Sequence, residues 1–268
     1  MKISAALRIL LDLRVFAQIA LLPTLRAIIA SPALIFRPGG FSRSFMANLW
    51  VTVGKGADEG GTSVKKRLIT PNAHGVVLDI GAGYGHTAKY LDTNRVTKYI
   101  ALEPNVLMHS GLRGAANEVG FRESDGSLLI LSCGAEDTAS ILSPIDSQGN
   151  QPSVDTIISI LTLCTVPSPE HTIKSLIEDV LKPGGELLFF EHVLNPRDDV
   201  AWWQKFWTPL WAIFFDGCVL YRPTHTWIDN LLSGDSQESA WRERDLWENE
   251  EDLEDNLFCH RVGRFVKS

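Results

Sequence analysis

Two carboxylates and three glycines between residues 79 and 103 are the groups of this chain best spaced to do chemistry. Asp79 stands two places ahead of Gly81, Gly83 and Gly85, which alternate with Ala82 and Tyr84, and Glu103 closes a second apolar run. Glycines so spaced permit left-handed backbone and let a ligand approach main-chain N–H groups. A carboxylate at the tip of a second strand is placed to accept hydrogen bonds from both hydroxyls of a ribose. A dinucleotide fingerprint would read G-x-G-x-x-G, with a pyrophosphate on the helix N-terminus. Here the spacing is G-x-G-x-G, and Asp79 would repel a pyrophosphate while suiting an ammonium group. The expected ligand carries a ribose at one end and an amino acid at the other.

Strands must end at these groups for them to meet. Residues 76–80 form an apolar, β-branched run that reads as a buried parallel strand. Residues 87–91 read as a helix whose N–H groups face the glycine turn. A second strand covers residues 99–102. A helix over 106–119 and a strand over 127–132 follow, then a strand over 154–160, a helix over 169–181 and a strand over 186–190. Runs at 241–247 and 257–266 read as the sixth and seventh strands, giving an α/β alternation. Ligands of open α/β sheets lie outside the carboxyl ends of the strands, so Leu161 and Thr162, after the fourth strand, belong to the cleft. Glu191 and His192, at the end of the fifth, belong to the same edge.

S-adenosylmethionine has the required shape. The stretch D-x-G-x-G-x-G with a later acid resembles motifs I and II of the Rossmann-like S-adenosylmethionine-dependent methyltransferases, and Leu181-Lys182-Pro183-Gly184-Gly185 resembles a turn frequent in them. The segments Glu191-His192-Val193, Trp202-Trp203-Gln204-Lys205-Phe206-Trp207, Phe215-Asp216-Gly217-Cys218 and the carboxyl-terminal run 259–267 are similar to signatures of the methyltransferase-like-seven family. The resemblance covers about residues 65–268. It implies a seven-stranded Rossmann-like sheet with helices on both faces, and S-adenosylmethionine held by Asp79, Gly81, Gly83, Gly85 and Glu103. The adenine would lie near the backbone of Ala135 and near Glu136, with Leu161 and Thr162 alongside. It further implies an enzyme at the cytosolic face of the endoplasmic reticulum or a lipid droplet, methylating small lipophilic thiols. Ala82, Tyr84 and Glu103 depart from that family's usual residues. Related sequences methylate oxygen in secondary-metabolite pathways, so the acceptor atom stays open between S and O, and thiol detoxification is one of two roles. His192 is the first candidate base, since it sits at a strand tip and titrates near neutral pH; Asp216 is the second.

The net charge of −7 and a pI near 5.5 exclude a nucleic-acid backbone as partner. The four cysteines stand singly, which reads as free thiols in a reducing compartment with no metal-ligand spacing. Residues 1–36 are apolar apart from Lys2, Arg8, Asp12, Arg14 and Arg26. Those charges leave apolar runs of about ten residues against the roughly 20 that a spanning helix needs. An imperfect amphipathic helix, broken by Pro23 and Pro32, reads as an interfacial membrane anchor; the other reading is a helix packed on the globular domain. The division expected is 1–40 as anchor, 41–70 as connecting or cap segment and 71–268 as the methyltransferase domain, with glycine-rich residues 54–61 near the boundary. A short helix over 63–69 precedes the first strand, and residues 143–153 read as a surface loop. The aromatic run 202–215 reads as core, as a pocket wall or as bilayer contact. Two other functions compete: a nicotinamide-dependent oxidoreductase, and a silent binding module. A cytoplasmic location is the alternative to the membrane.

Overall fold

The computed structural model describes residues 1–36, 39–145, 153–234 and 237–268. Most of the loop expected at 143–153 lies outside them. Seven strands form one sheet: β1 (Gly75–Ile80), β2 (Val96–Leu102), β3 (Leu128–Leu131), β4 (Val154–Ile160), β5 (Leu181–Val193), β6 (Trp241–Glu248) and β7 (Cys259–Lys267), in the order β3-β2-β1-β4-β5-β7-β6. All neighbours are parallel except β7, which is antiparallel to both β5 and β6. The chain leaves β1 toward β2 and β3, then returns to add β4 on the other side. The strand order therefore reverses between β1 and β4, the place where α/β sheets bind ligands.

The helices are α1 (Ile3–Ala30), α2 (Ala33–Phe36), α3 (Gly40–Gly60), α4 (Thr62–Leu68), α5 (His109–Val119), α6 (Thr138–Leu142), α7 (Pro169–Ser175), α8 (Asp198–Phe214) and α9 (Thr224–Asp229). Alternation along the strands feeds two cores, one on each face of the sheet. Leu78, Ile80, Ile100, Ile157, Phe189 and Phe265 point one way, and Val77, Tyr99, Ala101, Ile158, Leu188 and Val262 point the other. A third core joins α1, α3 and α8 through Ile9, Phe45, Leu49, Trp207, Trp211 and Phe215.

Several expected elements take another form. The glycine turn leads into a three-residue 3-10 turn, Ala88–Tyr90, rather than a helix. Few residues separate Gly85 from Val96, and a helix so short is marginal unless packing holds it. No α-helix therefore starts directly after the glycine turn. Helix α7 ends at Ser175 and continues as a wider turn of π type, Leu176–Val180. Pro32 falls in the break between α1 and α2, but Pro23 lies inside α1 without ending it. Ala6, Ile9, Ala20 and Thr24 are buried on the rest of the molecule, and the Thr24 hydroxyl donates to the Ala20 carbonyl. The glycine-rich residues 54–60 continue α3 rather than breaking the chain. Among the described residues no helix is long and apolar enough to cross a membrane.

Candidate functional site

A cavity of about 450 Å³ opens at the carboxyl ends of β1, β2, β3 and β4. Ligand sites commonly run from about 300 to 1,000 Å³. Its floor is Gly81, Gly83 and Glu103, one wall is Ser132, Gly134, Ala135 and Glu136, and the opposite wall is Leu161, Thr162 and Thr165. Arg43, Met46 and Trp50, on one face of α3, form the cover, and Asp216 stands at the rim. A larger groove of about 670 Å³ between α7 and α9 is open and lies away from the glycine turn. The smaller cavity is the candidate site because it occupies the reversal point of the sheet.

Glu103 is the fixed polar centre of this cavity. One carboxylate oxygen accepts the Gly83 N–H at 2.8 Å and the other accepts the Asn105 N–H at 2.8 Å. Burial raises its pKa, while those two donors hold it down. Gly81 adopts φ +66°, and a Cβ there would lie 2.4 Å from the Thr162 side chain, so only glycine allows this crossing of the two turns. Thr162 in turn donates to the Ile80 carbonyl at 3.0 Å. The Thr162 N–H reaches both oxygens of Glu191 at 3.0 Å, and Leu163 adds a second donor at 3.2 Å. Glu191 is fully buried and also accepts from Ser159. It fixes the turn after β4 from behind and does not line the cavity. Leu161 within that turn holds φ 55°, a conformation that non-glycine residues rarely adopt.

Asp79 is not at the cavity wall. It is fully buried beneath the glycine turn, where Oδ2 accepts the Tyr99 hydroxyl at 2.8 Å and Oδ1 has no partner among the described residues. Burial pushes its pKa up to about 7, and nearby Glu103 adds to the rise. The expected direct contact between Asp79 and a ligand ammonium is thus corrected: the carboxylate supports the turn from inside. A small extension of about 50 Å³ lies on the far side of Trp50, lined by Asp58, Lys65, Gly81, His86 and Thr87. Lys65 and Asp58, both buried, form an ion pair there that Lys89 and the Tyr90 hydroxyl complete. Burial lowers the Lys65 pKa; Asp58, despite its burial, is held below the usual carboxylate range by Lys65 and Lys89.

The two candidate bases separate. Asp216 lines the cavity with φ 49°, its N–H donating to the Ser42 hydroxyl at 2.7 Å and its carboxylate 3.8 Å from Arg43 Nε. Burial raises its pKa. His192 is buried away from the cavity, with Nε2 3.3 Å from the Cys218 thiol. It does not meet the ligand space, which corrects its expected role as first base. Strand β5 presents it on the side covered by α8, because successive residues of a strand face opposite ways. Gly85 packs against α5, where a Cβ would meet Leu112 at 2.9 Å. Ala135 and Glu136 both line the cavity. The reading of motifs alone passed over Arg43, Met46, Trp50 and Lys65. The spacing 43, 46, 50 is one face of a helix, the signal available for the first three.

The residues present fit S-adenosylmethionine. A cavity of suitable volume has a prefixed carboxylate for ribose hydroxyls, a glycine floor that a Cβ would obstruct, and an adjoining chamber lined by the Asp58–Lys65 ion pair.

A family model described as a methyltransferase domain matches residues 61–247. The chain is 39% identical over 86 residues to thiol S-methyltransferase TMT1B of Homo sapiens, covering 32% of this chain and 35% of that protein. It is 42% identical over 78 residues to thiol S-methyltransferase TMT1B of Rattus norvegicus, covering 29% and 31%. The match thus spans about a third of the length of these curated relatives. A SAM-dependent methyltransferase of Thermotoga maritima, described as a possible histamine N-methyltransferase, superposes with a TM-score of 0.52 at 18% identity, over 82% of this chain and 93% of that one. An O-methyltransferase family protein from Burkholderia thailandensis gives 0.55 at 11% identity, over 85% and 60%. At these identities the solved structures share the fold.

Proposed function

The chain belongs to the methyltransferase domain family, and from that premise we propose that it transfers a methyl group from S-adenosylmethionine to a sulfur or oxygen of a small lipophilic acceptor. The observation that carries this reading is Glu103, held by two backbone donors on the floor of a cavity at the reversal point of the sheet.

S-adenosylmethionine, when bound, supplies a methyl group already activated on a sulfonium, so transfer needs alignment more than acid catalysis. Glu103 has lone pairs left on both oxygens for the ribose hydroxyls. The strip Ala135-Glu136 borders the cavity at β3 and suits an adenine, while Lys65 and Asp58 suit the carboxylate and ammonium of the methionyl end. Trp50 lies over the glycine turn, its Nε1 3.4 Å from where a Gly83 Cβ would stand, and restricts water there. An acceptor thiol or phenol must lose its proton to react well. Asp216, at the rim with a raised pKa, is the side chain positioned to take that proton on its carboxylate. A thiol acceptor is favoured by the names of the curated relatives.

We infer in addition that the protein works at a membrane surface. Leu7, Leu11, Val15, Leu22 and Ile29 on α1 are exposed, as are Trp202, Phe206 and Ile213 on α8. Exposed rings of this size, set beside polar residues, are characteristic of interfacial contact.

The test is methyl transfer from labelled S-adenosylmethionine by the full-length chain to a panel of an alkyl thiol, a phenol, a carboxylic acid and an amine. Label on the thiol or on an oxygen supports the reading and decides between the two atoms. Label on the amine alone, or failure to bind the cofactor in calorimetry, overturns it.

A further inference from the structure

Behind the wall of the cavity lies a second cluster that methyl transfer does not use. Cys164 in the turn after β4, His192 at the end of β5 and Cys218 after α8 are all buried, and one ligand atom from each lies within 4.8 Å of the other two. His192 Nε2 and Cys218 Sγ are 3.3 Å apart. His192 Nδ1 is buried with no hydrogen-bond partner among the described residues, and the two thiols share the surroundings of the ring with the charges of Glu191 and Arg222. The three residues are far apart in sequence and show no motif spacing. The topology of the sheet brings them together.

We propose that Cys164, His192 and Cys218 bind one d10 cation, zinc(II) or copper(I), through two thiolates and one imidazole nitrogen. Bond lengths of about 2.3 Å to sulfur and 2.0 Å to nitrogen set neighbouring ligand atoms roughly 3.5–4 Å apart in a tetrahedral shell, so small movements close this trio around an ion. Soft sulfur with imidazole selects these metals over magnesium or calcium. Both thiols lose their protons to solvent on binding. The ion ties together parts that shape the cavity. Cys164 sits between Thr162 and Thr165, Cys218 follows Asp216 by two places, and the Val219 N–H already donates to the Cys164 carbonyl at 3.0 Å. Its role is to hold the acceptor rim, and binding it does not depend on the methyl-transfer reading.

The full-length chain, purified under reducing conditions, is stripped with a chelator and titrated separately with Zn2+ and with Cu+ against a chromophoric competitor. One equivalent per chain is expected for one of the two ions, with proton release, and the tighter of the two identifies the resident metal. Cys218→Ser and Cys164→Ser each lower affinity by more than about 100-fold, beyond the loss typical of an outer-shell partner, while Cys133→Ser leaves it unchanged. Circular dichroism monitors folding. Cobalt(II) substitution of the unaltered chain gives a thiolate-to-metal absorption band that needs no variant. Absence of stoichiometric uptake of either ion, uptake unchanged in Cys218→Ser, or a Cys164–Cys218 disulfide in the freshly purified chain overturns the proposal.

Discussion

Glu103 and Asp79 are both acids at the ends of neighbouring strands, yet they do different work because one faces the cavity and the other the interior. Replacing Glu103 by Ala removes the proposed ribose acceptor and leaves the N–H groups of Gly83 and Asn105 without their partner. Calorimetry of S-adenosylmethionine binding should show a loss of about 2–4 kcal/mol, the scale of charge-assisted hydrogen bonds; unchanged affinity would remove Glu103 from the site. Asp79 predicts a pH effect instead. Its folded pKa is raised from 3.8 to about 7, first by burial. The native state therefore holds a proton that the unfolded chain releases between those values, and stability falls as pH rises through the window. About three units at about 1.4 kcal/mol each put the effect on the order of 4 kcal/mol at most. In Asp79→Asn that slope should disappear, so the variant gains on the parent between about pH 4 and pH 7 in denaturant melts. Parallel curves for the two would show that the buried carboxyl does not titrate there. The residue types announced both acids. Which of them was sealed depended on Tyr99, whose hydroxyl meets Asp79 across the sheet, and a cross-strand partner is not written in local spacing.

At the scale of elements, the glycine turn and α3 use the same residue type for opposite reasons. Gly81 is in left-handed backbone against Thr162, whereas Gly56 is an exposed helix position with nothing within 4 Å of an added Cβ. Gly81→Ala should cost about 1–3 kcal/mol through backbone strain and collision with Thr162, and should weaken cofactor binding as well. Gly56→Ala should stabilise by about 0.5–1 kcal/mol, since alanine is the better helix former. Urea unfolding of both variants checks the pair, and shifts of the same sign would contradict this account. Strands β1, β2, β3, β4, β6 and β7, and β5 over residues 186–190, were legible because buried, β-branched or alternating runs carry their own period. The helical nature of residues 40–60 was not, because its glycines read as a linker. The missing Cβ at Gly54 instead makes room for the Trp50 ring, which lies 2.8 Å from where that atom would be. Likewise α1 survives Pro23 because tertiary packing outweighs a local helix breaker, and no local rule reports that contest.

At the scale of the whole molecule, a nucleotide-binding sheet carries an added layer of α1, α3 and α8 that does two jobs. Its inner side closes the cavity through Arg43, Met46 and Trp50 and fills the third core, where Phe16 stacks edge-on against Trp211 and Phe215. Its outer side leaves large apolar groups in solvent. The aromatic run of α8 is divided between these roles: Trp207, Trp211 and Phe215 are buried, Trp202 and Phe206 are more than half exposed, and none of the five lines the cavity. If the outer side meets a bilayer, each exposed ring contributes about 1.5–3 kcal/mol on burial. The double substitution Trp202→Ser with Phe206→Ser should then reduce vesicle binding by roughly 100-fold or more, without loss of fold, because neither ring belongs to a core. The net charge of −7 sets a second condition. With apolar contact as the driving force, flotation with zwitterionic phosphatidylcholine vesicles should match or exceed that with anionic vesicles, and should change little with salt. Flotation equal in the double variant and the parent would assign these rings to a protein partner or to none, and would leave the membrane reading without its physical support.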